Sequence, residues 1–376
     1  MPKISDYLAS ADQRPAGFDY MRLFLSLFVM FAHAAHISLG KDFNEGLWQQ
    51  PFTRAVLSAA LPMFFTLSGF LVGGSMDRTR TVAKFLGLRA IRIYPALVVD
   101  ILFTALIVGP LVTTLSWEAY FTDPGFAAYL WNVTGHDIIF VLPGAFTENP
   151  QVYANLQLWT VPFELLCYIA LAGMMAAAYF VRRSIVIPLG TCIVFALVMA
   201  HMVLTTDWLA TDGHGPVSGP ILILAFLLGV NIHLFRDRIP CSPSIIGVLF
   251  FSSLIGFSFG PFDHIAGVFP AALLTVCLGV LNPRRVNAIK HADLSYGLFL
   301  YHYIVQQALI SAAGGAMAWY ILIPVSFILT LAFAYASWTL VEKPALELRK
   351  PLGRLEDRLI GFWARIRRPA TPATLP

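Results

Sequence analysis

Residues 18–40 read FDYMRLFLSLFVMFAHAAHISLG. Crossing ~30 Å of hydrocarbon takes about 20 predominantly apolar residues in a helix, and this stretch supplies them. Outward from it, comparable apolar runs recur near 56–76, 93–115, 157–181, 185–206, 219–235, 243–261, 265–282, 293–313 and 318–341. Interruptions such as Pro62, Gly69 and Pro188 are tolerated where neighbouring helices satisfy the freed backbone groups. Apolar residues make up 58% of the 376, charged residues 12%, and the mean hydropathy is +0.72. A soluble chain carries roughly a quarter charged residues. The pattern predicts an all-α integral membrane protein, a bundle of about ten transmembrane helices with N- and C-termini cytosolic.

The basic residues test that count. With the N-terminus inside, the inner segments 1–17, 78–92, 182–183, 236–238, 284–290 and 343–368 hold 22 of the 25 Lys and Arg. Lys41 and Arg54 fall outside and Arg22 within a span. That asymmetry is the positive-inside rule, and one missed or invented helix would scramble it. The net charge of +4 follows from these inner segments, so nucleic acid is not needed to explain it. Cys167, Cys192, Cys241 and Cys277 show no CxxC or Cys/His spacing, so no metal site is expected. No cleavable signal is expected, because the first apolar run is too long and no small-residue cleavage site follows it.

The organisation predicted is a cytosolic segment at 1–17, a membrane domain over 18–345 and a basic amphipathic tail over 346–376. In that tail Leu355, Leu359, Phe362, Trp363 and Ile366 recur at helical spacing among arginines, which suits a helix on the anionic inner leaflet. The end at 369–376 is expected to be disordered. The longest connection is the outer loop 116–156.

Ionisable groups inside spans are costly and mark function. Arg22 and His33 are eleven residues apart, so they fall within ~20° of one another on a helix, with His33 ~16 Å further out. Asp19, three residues before Arg22, is placed to form an ion pair with it. The alternative for His33 is a structural histidine. In the fourth span, LWTVPFELLCY (158–168), Glu164 is expected at the depth of His33, where it would orient the imidazole or else favour the helix N-terminus. The segment RTRTVAKFLGLRAIRIYPAL (78–97) sets Arg89 and Arg92 one turn apart at the inner face, a clamp for phosphate groups. The ninth span, SYGLFLYHYIV (295–305), brings Ser295, Tyr296, Tyr301 and His302 into the membrane, for interhelical hydrogen bonding or for catalysis. His136–Asp137 in the outer loop is a remote candidate for acceptor binding.

Taken in order, these segments resemble the membrane acyltransferase-3 family. The marks are Arg22 and His33, FFTLSGFL (64–71), LRAIRIYPAL (88–97), LWTVPFELLCY (158–168), SYGLFLYH (295–302) and VEKP (341–344), over about residues 15–345. The resemblance implies a ten-helix enzyme of the cell inner membrane that takes an acyl group, commonly acetyl, from cytosolic acyl-CoA to a hydroxyl on the outer side. The family's frequent extracytoplasmic hydrolase-like domain is not expected here. The essential histidine and arginine carry over to His33 and Arg22, the inner arginine motif to Arg89 and Arg92, and the span-four carboxylate to Glu164. Ser68, Tyr301 and His302 match family motifs. On this reading His33 is the general base, with a transient acyl-imidazole as the rival route. Ser68 or Tyr301 would donate to the thioester oxyanion. No permanently bound cofactor is implied; acyl-CoA, membrane lipids and an extracytoplasmic carbohydrate or glycolipid acceptor are the partners. The alternative function is a transporter or flippase of a lipid-linked sugar, disfavoured by the absence of a visible repeat. The residues name neither the acceptor nor the oligomeric state.

Overall fold

The computed structural model describes residues 1–204, 217–258, 263–286 and 292–366. The connection expected on the outer side at 207–218 lies outside them up to residue 216, as do Lys290, the chain end from 367 and the side chains of Lys41 and of 359–366. The helices are α1 (Ile4–Ser10), α2 (Gly17–Gln49), α3 (Pro51–Arg78), α4 (Val82–Phe103), α5 (Trp117–Thr122), α6 (Pro124–Leu130), α7 (Val161–Ala177), α8 (Arg183–Leu204), α9 (Gly219–Leu234), α10 (Pro243–Ser258), α11 (Asp263–Gly279), α12 (Ser295–Ala312), α13 (Trp319–Ser337) and α14 (Arg349–Ile366). Each of the ten expected stretches falls on a helix. Among the described residues six helices are long and apolar enough to cross a membrane, and α9, α10 and α11 are apolar but shorter. The ninth stretch, α12, is polar for a span and buried along nearly all its length. Large apolar side chains face outward, among them Ile107 at 53%, Phe251 at 64% and Ile328 at 65% exposure. Lipid is the solvent that suits such a surface.

Two boundaries depart from expectation. The first helix does not end at 40 but runs 33 residues to Gln49, ~50 Å of helix, longer than the hydrocarbon core. Pro51 stops it: a residue before proline is pushed out of the α region, and Gln50 is extended at φ −79°, ψ 122°. Pro51 then starts α3 at a position where its missing N–H costs nothing. Arg54 is buried beneath this corner, donating to the carbonyl of Ser258. The second departure is the start of α4, at Val82 and not near 93; at its other end the helix continues through a π turn, Thr104–Val108, into Gly109–Val112, close to the expected 115. The Tyr120 hydroxyl donates to Ala105 O there at 2.8 Å, and Gly109 leaves it room, since a Cβ would collide with that hydroxyl. Burial pushes the Tyr120 phenol up to about 12, so it stays a donor at any physiological pH.

Close helix packing comes from small residues. Gly69 on α3 lies against Phe226 O, Gly229 on α9 lies against Thr66 O, and Thr66 Oγ1 donates to Ala225 O at 3.1 Å. Small–small contacts of this kind let backbones approach where lipid offers no hydrophobic drive to helix association. Gly297 on α12 meets Ala334 on α13 in the same way. The α12 helix is thereby wedged between α2 and α13, with Tyr303 and Ile310 packed beside Ala34 and Ile37 of α2. At the inner end, α14 folds back onto α4. Leu352 fills the space over Gly87, and the buried Glu356 carboxylate accepts from Arg80 N (3.1 Å), Thr81 N (2.9 Å), Thr81 Oγ1 (2.9 Å) and Lys84 Nζ (2.7 Å).

Candidate active site

The first α4 residue is Val82, capped by the Thr81 hydroxyl, and the helical phase from there puts Arg89 and Arg92 on one side of α4. Arg92 reaches two carboxylates from distant segments. Its guanidinium donates to Asp293 Oδ2 at 2.7 Å and to Glu342 Oε2 at 3.1 Å, and it lies over the Tyr296 ring at 5.3 Å. Arg22 donates to the same Asp293 oxygen at 3.2 Å. Asp293 is held for this by Ser295, whose hydroxyl donates to Oδ1 at 2.6 Å as α12 begins. The expected Asp19–Arg22 pair does not form: Asp19 accepts from Arg285, 3.1 Å away, and Arg22 turns to Asp293. Asp19 sits in the first turn of α2, at the level of the inner loop that carries Arg285, whereas Arg22 is nearly a turn deeper.

Arg89 differs from its neighbour. Its only polar contact among the described residues is a 3.1 Å donation to Ser75 Oγ, and its Nε is buried without a hydrogen-bond partner. The guanidinium rests over the Phe85 and Tyr168 rings at 6.0 and 5.9 Å. The two arginines are thus a turn apart as expected, yet unequal: Arg92 is neutralised by two carboxylates and Arg89 keeps an uncommitted donor.

Glu164 stands in the first turn of α7, where Pro162 fits the opening position. Its carboxylate accepts from the Tyr168 hydroxyl at 2.5 Å, with Ser68 in hydrogen-bonding reach of that phenol. The cations in its electrostatic surroundings are Arg92, Arg89 and Arg22. Its hydrogen bond therefore goes to the arginine side of the bundle and not to His33.

The His33 ring faces His302. Nδ1 of His33 lies 2.7 Å from Nε2 of His302, with the ring planes 9° apart. The Tyr303 ring stands edge-on to His33 at 5.3 Å and 84°. One turn beyond His302, Gln306 ties α12 to α2 by donating to Met30 O at 2.9 Å. Tyr301 points to the other side of α12: its hydroxyl donates to Ser337 Oγ at 3.1 Å, and Ser337 donates to Glu342 Oε1 at 3.2 Å.

Residue reasoning missed three groups. Asp293 and Glu342 anchor Arg92, and Glu342 was visible within the quoted VEKP segment. Asp100 was visible as a lone carboxylate in the third span. It is fully buried, its Oδ2 is 3.1 Å from Asn155 Nδ2, and that amide also reaches Thr104 (3.0 Å) and Tyr129 (3.1 Å).

Comparison with known proteins accords with this convergence. The sequence profile of an acyltransferase domain, acyltransferase-3, matches residues 16–340. The chain belongs to the acyltransferase-3 family. Similar proteins include Nodulation protein 10 of Rhizobium leguminosarum bv. viciae, 30% identical over 89% of this chain and 94% of that protein. The O-acetyl transferase of Shigella phage Sf6 is 26% identical over 89% of this chain and 97% of its own length. Exopolysaccharide production protein ExoZ of Rhizobium meliloti (strain 1021) is 29% identical over 65% and 75%. No solved structure matches the chain. The matched acyltransferase-3 domain takes in Arg22, His33, Ser68, Arg89, Arg92, Glu164, Tyr301 and His302, and the apolar helices make the protein a multi-pass membrane protein.

Proposed function

We propose that this acyltransferase is an O-acyltransferase of the inner (cytoplasmic) membrane, with about ten spans and cytosolic termini. It moves an acyl group, acetyl by preference, from cytosolic acyl-CoA to a hydroxyl of an extracytoplasmic carbohydrate or lipid-linked glycan. The observation that carries the reading is one helix, α2, presenting Arg22 within the inner arginine cluster and His33 ~16 Å further along the same face. The basic inner segments favour the cytosolic termini, and the relatives whose names speak of O-acetyl transfer and exopolysaccharide production favour the acceptor class.

In this reading Arg89, with its uncommitted donor, holds a phosphate of CoA at the inner face, and the pantetheine arm carries the thioester toward His33. The acceptor oxygen attacks the thioester carbonyl carbon as His33 takes the hydroxyl proton. The carbon–sulfur bond then breaks, and the proton passes to the thiolate, leaving free CoA thiol. Both candidate oxyanion donors have a partner, Ser68 at the Tyr168 hydroxyl and Tyr301 at Ser337, so either would have to turn to the thioester. Glu164 serves the arginine and Tyr168 wall of the site.

The test is His33→Ala in purified protein. Transfer should fall by at least the 10²–10⁴-fold typical of a lost general base, with acetyl-CoA binding and folding retained. Full activity in His33→Gln, which hydrogen-bonds but takes no proton, would sink the assignment.

A further inference from the structure

Both ring nitrogens of His302 are engaged. Nδ1 lies 3.0 Å from the carbonyl oxygen of Leu298, one turn back on α12, and Nε2 lies 2.7 Å from Nδ1 of His33. A carbonyl oxygen only accepts, so Nδ1 of His302 carries the hydrogen, and in a neutral imidazole Nε2 is then an acceptor. His302 is fully buried, and among the described residues no carboxylate is hydrogen-bonded to either ring. A neutral pair is therefore the arrangement without an uncompensated buried charge. Nδ1 of His33 must donate to His302, which leaves the free lone pair on Nε2 of His33. The edge-on Tyr303 ring and the Gln306–Met30 tie hold the two helices in this register.

We propose that His302 is a positioning residue that locks His33 in its Nδ1–H form and so makes Nε2 of His33 the proton-accepting atom. The catalytic consequence rests on the acyl-transfer reading above; the tautomer does not. In the step itself, the oxygen–carbon bond forms and the carbon–sulfur bond breaks. The hydroxyl proton moves to Nε2 of His33 and from there to the departing sulfur. Throughout, the hydrogen on Nδ1 of His33 stays hydrogen-bonded to Nε2 of His302, which supports the transient imidazolium. Without that acceptor the Nε2–H tautomer presents a hydrogen and not a lone pair to the hydroxyl, and the imidazolium loses its hydrogen-bond partner. The arrangement parallels the orienting partner of a hydrolase triad, with an imidazole in place of the carboxylate.

The experiment uses the full chain, ¹⁵N-histidine labelled, in lipid nanodiscs. ¹⁵N–¹H correlation spectra report the tautomer, with His33→Ala assigning the signal. In parallel, radiolabelled acetyl transfer from acetyl-CoA into the envelope glycan is followed in inside-out vesicles for wild type, His302→Gln, His302→Leu and His33→Ala. His33 should carry its hydrogen on Nδ1 in wild type and in His302→Gln, whose amide oxygen reaches the position of Nε2. In His302→Leu the Nε2–H form should appear. There kcat should drop at least ~100-fold with the acetyl-CoA KM within about threefold, while His302→Gln stays within about tenfold of wild type. Hydrogen on Nε2 of His33 in wild type would overturn the proposal, as would wild-type kcat in His302→Leu when His33→Ala is inactive. An active His33→Ala would remove the general-base assignment of His33 instead, and the wild-type spectrum alone would then decide for or against the tautomer.

Discussion

Arg89 and Arg92 share a residue type and a helix face, and their surroundings give them different work. Arg92 forms hydrogen-bonded ion pairs with Asp293 and Glu342, the latter only 3% exposed. Removing one partner of such a buried pair leaves an uncompensated charge, typically a loss of ~3–5 kcal/mol. Arg92→Ala should therefore lower the melting temperature and the folded yield before any donor affinity is measured. Arg89 has no ion pair among the described residues, only the Ser75 hydrogen bond and the Phe85 and Tyr168 rings, so Arg89→Ala should cost clearly less stability than Arg92→Ala. It should raise the apparent KM for acyl-CoA ten- to a hundredfold, the worth of one charge-assisted contact at ~1.5–3 kcal/mol. Lysine at 89 should rescue only partly, because a point charge replaces a planar fork. Thermal unfolding and acetyl-CoA titration of the two variants check the division; equal loss of stability in both would refute it.

At the scale of the element, α4 is the helix whose placement matters most, because it carries both arginines and Asp100. Its N-terminus has four backbone N–H groups without intrahelical partners, and a carboxylate there is favoured. Glu356 of α14 supplies one, with Thr81 and Lys84 completing its shell. The tail, expected from its sequence to lie on the inner leaflet, is thus also a brace for the helix that carries Arg89 and Arg92. Glu356→Ala should release α14 from α4. Amide exchange across 349–358 and limited proteolysis of the tail should accelerate ten- to a hundredfold, matching the loss of a charged hydrogen bond of ~1.5–3 kcal/mol. Unchanged protection in that variant would show that Leu352 packing alone holds the tail.

For the whole molecule, the bundle gathers α2, α3, α4, α7, α12 and the end of α13 around one site while α8 stays at the periphery, with few buried residues. The division of the basic residues predicts how that bundle is oriented in the membrane. Tags at 125–150 should be extracytoplasmic, and tags at 78–84 and after 345 cytosolic. Accessibility labelling that finds the 116–156 loop and the 78–92 loop on the same side would refute the orientation.

Hydropathy placed the helices because the free energy of moving a segment's side chains into lipid is set by its local composition, while the backbone must be helical there whatever the sequence. The 3.6-residue period set Arg22 and His33 on one face, and placed Arg89 beside Arg92, by arithmetic internal to one helix. The π turn after Phe103 was less legible, since it depends on a neighbour, Tyr120, whereas the end of α2 at Gln49 follows from the local signal of Pro51. The partners within the site were beyond any local rule. Asp19 sits three residues from Arg22 yet pairs with Arg285, and Arg22 pairs with Asp293, 271 positions along the chain. His33 meets His302 and not Glu164 because the small-residue contact of α12 with α13 and the Gln306–Met30 tie set the register of α12 against α2. Sequence alone determined that Arg22 and His33 share one face of their helix and that Arg89 and Arg92 lie a turn apart on theirs. Only the packing of helices distant in the chain decided which of them touch, because a hydrogen bond requires ångström-scale register that no single helix contains.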